Sequence, residues 1–265
     1  IILGLLIMFC IIVRSSFTSF SFELGNNERK NVFIDSKKYL TGASEAGFES
    51  EELYRCVLDT LGKDKTSATD EELSKITEVI CRGENISSTK GIEKLTSLRY
   101  LNLYNNKVSS IDLSKNTNLV MLNMTFNNLS SIDLSNNKNL QQLYLNGNKI
   151  SSIDLSNNSK LIDLNMYNNK LSNINISSLV NLKFLLLSLN NLSTIDLSNN
   201  TKLEHVYLSG NELNSIKVPT MAEGLSRLDL NANNLTNIDL SKLTKLNYLV
   251  VSANNISNLD VSKNT

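Results

Sequence analysis

Apolar residues recur at a fixed spacing in this chain from residue 98 onward. The first copy of the pattern reads Leu98-x-x-Leu101-x-Leu103-x-x-Asn106. Seven further copies begin at Leu119, Leu140, Leu161, Leu182, Leu203, Leu225 and Leu246. Six of the seven start-to-start intervals are 21 residues and one is 22. A short period of this kind predicts a stack of similar units, each of which contacts only its neighbours.

Within each copy, apolar and polar residues alternate across the L-x-L core, as in a short strand with one buried face. A period of roughly 20 to 29 residues with L-x-x-L-x-L-x-x-N is the leucine-rich repeat signature. We therefore predict an α/β solenoid, a horseshoe with a parallel concave sheet. An asparagine at each turn can bond backbone groups that the bend leaves unpaired, and this position holds Asn106, Asn127, Asn148, Asn169, Asn190, Asn211, Asn233 and Asn254.

The convex side repeats S-x-I-D-L-S, as at 110–114, and its short length predicts extended or 3₁₀ structure rather than a full helix. Its recurring aspartates lack the glycine-rich spacing of a calcium-binding repeat, so we interpret them as solvated turn residues. The extra residue of the sixth repeat lies near Val218 and Pro219, where we expect a convex bulge. The eighth repeat stops short, so we expect truncation at the C-terminal end.

The segment before the repeats divides into three parts. Residues 1–21 open with an apolar run, Ile1 to Val13, that is too short to span a bilayer. It fits the apolar part of a secretory signal peptide; a truncated membrane anchor and a buried helix are the alternatives. Residues 22–47 are polar without a period and predict a linker. Residues 48–97 predict a helical N-terminal cap that includes a degenerate first repeat.

The cap is predicted from helical spacing and a capping signal. Phe48, Leu53, Val57 and Leu61 recur at helical intervals, and Gly62 is placed to end that helix. The sequence T-D-E-E at 69–72 forms a capping box for a second helix. The stretch 76–86 resembles a degenerate repeat with two inward positions. A stack of repeats needs such a unit to close its apolar core.

Two cysteines are placed to meet across this cap. Cys56 lies on the first predicted helix, and Cys81 lies on the strand that the helix should cover. In an exported chain this arrangement predicts a disulfide, with two free buried thiols as the alternative. The bond would stabilise the fold by roughly 3 kcal/mol through loop-closure entropy.

The outward strand positions carry no predicted packing role, so their composition points to function. Six of the eight tyrosines lie in the three outward columns, and exposed aromatic clusters often mark interaction sites. The opposing interpretation is that strands favour aromatic residues. Arg227 lies between His205 and Tyr248 in its column, a position that allows a cation–π contact. The predicted partner-binding residues are Tyr100, Tyr104, Tyr144, Tyr167, Phe184, Leu186, His205, Tyr207, Arg227 and Tyr248.

Composition and motifs exclude several classes of function. Basic and acidic residues are balanced at 26 each, so the chain lacks the basic surface of a nucleic-acid binder. It contains no nucleophile elbow, no phosphate-binding glycine loop, no metal-spaced cysteine and histidine set, and one histidine. We interpret Asp163 and Asp229 near that histidine as solvated surface groups. We predict no enzymatic activity, no cofactor and no metal.

Four features of the sequence carry a resemblance to a known family. They are the cap, the start T-D-E-E-L-S-K-I at 69–76, the entry K-G-I-E-K-L-T-S-L at 90–98 and the S-I-D-L-S-x-N-x-x-L units. From residue 48 onward the chain resembles the leucine-rich repeat regions of internalin-like surface proteins of Gram-positive bacteria. The resemblance implies export, cell-surface display and protein binding on the concave face. A structural spacer and a glycan or cell-wall binder remain alternatives. The membrane would be contacted only through the N-terminal segment.

Overall fold

The computed structural model describes residues 42–62, 65–219, 221 and 224–264. Its main feature is a nine-stranded, all-parallel sheet with the order β1-β2-β3-β4-β5-β6-β8-β10-β11. The strands are β1 Glu78–Ile80, β2 Tyr100–Asn102, β3 Met121–Asn123, β4 Gln142–Tyr144, β5 Asp163–Asn165, β6 Phe184–Leu186, β7 Thr194–Asp196, β8 His205–Tyr207, β9 Ser215–Lys217, β10 Arg227–Asp229 and β11 Tyr248–Val250. The stacked parallel strands confirm the predicted leucine-rich repeat solenoid.

The register follows directly from the repeat. Leu101 pairs with Leu122, and each later repeat continues the same row of inward leucines. Leu98, Leu101 and Leu103 are completely buried, and so are the equivalent residues of the second to seventh repeats. In the eighth repeat Leu246 is 6% exposed, and Leu249 and Val251 are only partly buried. One repeat cannot bury this set alone, and strands about 4.8 Å apart complete it. The core is therefore a single column that runs along the stack.

A helical cap closes the N-terminal end of this column. Helix α1, Glu51–Leu61, starts at Ser50, whose hydroxyl accepts the Leu53 amide, and ends at Gly62. Helix α2, Asp70–Ser74, carries the predicted capping box between Thr69 and Glu72. A 3₁₀ turn, Ile92–Lys94, leads into the first full repeat. Ala43 and Ala46, which the sequence assigns to the linker, are buried against this cap.

The predicted disulfide is confirmed. Cys56 on α1 is bonded to Cys81 directly after β1, with 5.7 Å between the two Cα atoms. Val79 and Cys81 are both fully buried, as expected for the inward positions of a degenerate repeat. The bond ties the cap helix to the first strand of the sheet.

The asparagine at each turn joins adjacent repeats through its side chain. Asn106 Oδ1 accepts the amides of Glu84 and Ile86, while its Nδ2 donates to the carbonyls of Cys81 and Leu103 at 2.8 and 3.0 Å. The later copies repeat these bonds, for example from Asn148 to Met124 and Leu145. These side chains pair backbone groups of two repeats at the bend, where the strand hydrogen bonds end.

A second asparagine ladder lies on the opposite side of the core, and the sequence analysis did not identify it. Asn158 is fully buried, and its Nδ2 donates to the carbonyls of Leu134 and Asn137 in the preceding repeat. Its Oδ1 has no hydrogen-bond partner among the described residues. The fourth repeat carries Leu179 at the same position. The equivalent buried residues are Asn116, Asn137 and Asn200.

The convex side is mostly irregular, with one exception. Strands β7 and β9 pair in parallel and place Asp196 opposite Lys217, whose ammonium lies 2.9 Å from the carboxylate. The convex aspartates each accept the amide of the serine two residues on, as Asp112 does from Ser114. Residues 220 and 222–223 lie outside the described part of the chain, so the bulge near Pro219 stays a prediction.

Two further expectations concern the N-terminal segment. The predicted signal or anchor at 1–21 and most of the linker lie outside the described residues. Among the residues that the structure does describe, no helix has the length and apolar character needed to cross a bilayer.

Candidate functional site

The concave face of the sheet carries the predicted site. Each strand is three residues long, and its central residue points into the core while the flanking positions face outward. Parallel register aligns these outward positions in columns, so Phe184 neighbours His205 and Leu186 neighbours Tyr207. The repeat therefore brings together side chains that are 21 residues apart in sequence.

The aromatic residues of the C-terminal half form a continuous cluster. The rings of Phe184 and His205 meet edge to face with 5.2 Å between centroids, and His205 meets Tyr207 at 6.4 Å. Arg227 lies 5.4 Å from the centre of the Tyr248 ring, as the sequence allowed. Edge-to-face pairs and cation–π contacts hold the rings in place before any ligand arrives.

Two titratable groups of this half, His205 and Asp229, have pKa values shifted towards the neutral form. Desolvation, followed by the positive charge of Arg227, lowers the pKa of His205 below its ordinary 6.5. Burial raises the pKa of Asp229, against the amide of Asn231 that donates to its carboxylate. The prediction that Asp229 is a freely solvated group is wrong, because the residue is half-buried between its neighbours.

At the middle of the concave face, Asp163 is buried with only 4% of its surface exposed. The Tyr144 hydroxyl donates to its Oδ2 at 2.8 Å. Burial raises the pKa of Asp163 to about 6, although the hydrogen bond from Tyr144 opposes the rise. Desolvation and the adjacent carboxylate raise the pKa of Tyr144. The interpretation of Asp163 as a solvated group is therefore wrong, because its side chain is buried and hydrogen-bonded to Tyr144.

Part of the middle column serves the backbone rather than a ligand. The side-chain oxygens of Asn102, Asn123 and Asn165 accept the amides two residues further on, at 3.0 to 3.1 Å. Asn102 and Ser188 are buried. The prediction that no outward position has a structural role is therefore wrong. The surface that is free to contact a partner is smaller than the three full columns of outward residues.

Tyrosines of the N-terminal half extend the surface to strand β2, which lies next to the edge strand β1. Tyr100 is 36% and Tyr104 is 38% exposed. The Tyr104 ring meets Phe126 edge to face at 5.7 Å, and Arg99 lies 5.7 Å from the centre of the Tyr100 ring. The sequence analysis did not assign Phe126 to the site, because its position after the strand predicts a turn rather than a contact residue.

The arrangement offers contact area rather than reactive chemistry. Across the described residues, no three side chains of histidine, cysteine, aspartate or glutamate are grouped to hold a metal ion. His205 contacts aromatic rings on both sides. A surface of half-exposed rings with a few polar groups between them suits binding of another macromolecule.

No protein-family model matches the sequence, and no curated protein matches it. Solved structures do match. The functional domain of InlJ from Listeria monocytogenes, described as including a cysteine ladder, is 28% identical with a TM-score of 0.65. The match covers 80% of this chain and 52% of that one, so this chain spans about half the length of the solved InlJ domain. Residues 98–265 here contain no cysteine, and asparagines form the ladders instead.

Two other solved structures share the fold. Internalin C2 from Listeria monocytogenes has a TM-score of 0.71 at 22% identity, with coverage of 76% of this chain and 92% of that one. The ectodomain of the Arabidopsis thaliana receptor kinase GASSHO1/SCHENGEN3, solved in complex with CASPARIAN STRIP INTEGRITY FACTOR 2, is 27% identical with a TM-score of 0.58 over 65% of this chain and 23% of that one. With the stacked repeats and the N-terminal cap, these likenesses show that the chain has the leucine-rich repeat fold and is similar to internalins.

Proposed function

We propose that the chain is a non-enzymatic, protein-binding module of an exported or cell-surface protein, and that its concave face holds the partner. The observation that carries this proposal is the cluster of Phe184, His205 and Tyr207, whose rings are ordered against each other at the surface. Rings that are already fixed lose little conformational freedom on binding, so more of their contact energy contributes to affinity.

Two further observations support the proposal. The leucine-rich repeat ectodomain of the plant receptor kinase was solved with a bound factor, so repeats of this architecture can hold a partner. The Cys56–Cys81 disulfide and the apolar run at residues 1–13 are both typical of an exported chain.

Site-specific cross-linking tests the proposal. A photoreactive amino acid replaces Tyr207 on the concave face, and in a parallel variant it replaces Ser215 on the convex strand β9. We expect the variant labelled at the concave position to cross-link to the same protein each time the experiment is repeated. The variant labelled at the convex position should give no adduct. Cross-linking of equal yield from both positions would contradict a concave site.

Alanine variants then measure what the cluster contributes. Phe184→Ala and Tyr207→Ala should each weaken binding of the cross-linked partner by about thirtyfold, since truncating a central aromatic contact costs at least roughly 2 kcal/mol. Val180→Ala is the matched control, because Val180 is 48% exposed but lies off the concave strands. Unchanged affinity in the folded aromatic variants would favour a spacer, and retention on a glycan array that these variants abolish would favour carbohydrate binding.

A further inference from the structure

Two bulky residues occupy backbone conformations that suit glycine. Phe126 and Leu189 have φ values of 53° and 55°, in the left-handed region. For a large side chain this conformation is a genuine outlier. The equivalent position in the other repeats holds small or amide residues: Asn105, Gly147, Asn168, Gly210, Ala232 and Ala253. Because smaller residues serve this turn elsewhere, the fold does not require Phe or Leu there.

Each bulky side chain lies across a glycine of the next repeat. A Cβ atom added to Gly147 would lie 2.3 Å from Phe126 Cδ1, and one added to Gly210 would lie 2.6 Å from Leu189 Cδ2. The glycines thus provide the space in which these side chains rest. Phe126 and Leu189 nevertheless keep 45% of their surface exposed. Strain of this kind, held in place by matched neighbours, is a feature of functional positions.

The turns that carry these residues are also basic. We define the turn edge as residues 105–107, 126–128, 147–149, 168–170 and 189–191, the five successive turns after β2 to β6. It contains Lys107, Lys149 and Lys170 and no aspartate or glutamate. All three lysines are exposed, and none forms an ion pair within the described part of the chain. The turn edge therefore combines ordered apolar side chains with three positive charges, and the acidic side chain of the following turn is Glu212, which accepts a hydrogen bond from Asn191.

The spacing of the two apolar side chains limits the shape of an occupant. Phe126 and Leu189 are three repeats apart, and strands about 4.8 Å apart give a separation of about 14 Å. In an extended chain, residues i and i+4 point to the same side and lie about 13 to 14 Å apart. We propose that the turn edge binds an extended, acidic protein segment, with apolar side chains four residues apart on Phe126 and Leu189 and carboxylates on the lysines.

A lipid surface fits these observations less well. The apolar side chains form a single row along the turns, whereas membrane attachment uses a broad apolar face and an excess of positive charge. The whole chain has 26 basic and 26 acidic residues. The turn edge adjoins the concave face where the Phe126 ring meets Tyr104, whereas the ring of Phe184 contacts His205, so variants at Phe126 and at Phe184 test different surfaces.

Subtractive peptide selection on the full chain tests the proposal. A displayed library of random dodecapeptides is bound to the parent protein and then depleted on the double variant Phe126→Gly, Leu189→Gly. We expect the surviving peptides to be acidic, with apolar residues four positions apart, and to bind the parent at least about tenfold more tightly than the variant. No survivors, or survivors without an acidic bias, would overturn the proposal.

Three controls keep the result interpretable. Glycine suits a positive φ, so the double variant should keep the parent circular dichroism spectrum. If the spectrum changes, the test is repeated with the double variant Phe126→Asn, Leu189→Asn, because asparagine occupies the same position at Asn105 and Asn168. Phe184→Ala, which alters only the concave cluster, should leave binding of the selected peptides unchanged. Sedimentation with phosphatidylserine-containing vesicles should recover no protein, and recovery that the double variant abolishes would overturn the proposal in favour of a membrane site.

Discussion

Replacing Asp163 by asparagine should stabilise this protein at neutral pH. The carboxyl group is 96% removed from solvent at the centre of the concave face, and it accepts one hydrogen bond from the Tyr144 hydroxyl. Asparagine keeps an acceptor for that hydroxyl but carries no charge. The substitution therefore removes the unfavourable burial of a carboxylate without altering the size of the side chain.

The magnitude follows from the pKa. Burial raises the pKa of Asp163 from its ordinary 3.8 to about 6. Between these values the folded state holds a proton that the unfolded state has released, so the free energy of unfolding falls as pH rises. At about 1.4 kcal/mol per pH unit, the lost stability reaches about 3 kcal/mol above pH 6. Asp163→Asn should gain that amount at neutral pH and nothing below pH 3.8.

Urea unfolding followed by circular dichroism, repeated across this pH range, measures the difference between variant and parent. Asp196→Asn is the control of opposite sign. Hydrogen bonds from Ser198, and then Lys217, lower the pKa of Asp196 to about 2, so its contribution is present above pH 3.8 and is lost as pH falls towards 2. The reasoning is refuted if Asp163→Asn is no more stable than the parent at neutral pH, or if its advantage does not change with pH.

Three further predictions concern the core of the solenoid. Asn148→Leu should lower the free energy of unfolding by about 2 kcal/mol beyond Asn158→Leu, since it leaves the buried Leu129 amide unpaired, whereas the Asn158 oxygen has no partner to lose among the described residues; equal effects in urea titrations would contradict this. Gly147→Ala should lower the melting temperature, and adding Phe126→Gly should restore the part of the loss that comes from the contact of the alanine Cβ with the ring, but not the part that comes from the positive φ of residue 147; additive effects in the double variant would argue against the contact. Reducing the cap disulfide should cost about 3 kcal/mol in the same titrations, and an unchanged urea midpoint after reduction would show that the bond does not stabilise the cap.

Much of the fold could be predicted because the sequence repeats. The 21-residue period fixes which leucines face inward, and eight copies leave one register in which Leu101 meets Leu122. The disulfide could be predicted for a related reason. Helical spacing placed Cys56 on the covering face of the cap, and the alternation of the degenerate repeat placed Cys81 inward beneath it.

The candidate site was only partly predictable. The sequence identified the outward columns, but it did not show that Asp163 is buried, because the hydrogen bond there depends on the direction of the Tyr144 side chain. The left-handed turn at Phe126 was also missed. Glycine or asparagine occupies this turn position in four of the eight repeats, which indicates a left-handed conformation. Comparison of the eight repeats at that position would have shown that Phe126 shares the conformation.

The pairing of Phe126 with Gly147 and of Leu189 with Gly210 constrains how such a chain can gain or lose repeats over generations. A recombination that removed the repeat carrying Gly147 would place Asn168 beside Phe126, and its Cβ would occupy the space in which the ring rests. Removal of the repeat with Phe126 together with the repeat with Gly147 leaves no bulky side chain against a residue that has a Cβ atom at this place. The repeats with Gly147 and Gly210 can therefore be lost only together with the repeat that precedes each of them, although the period visible in the leucines is one repeat.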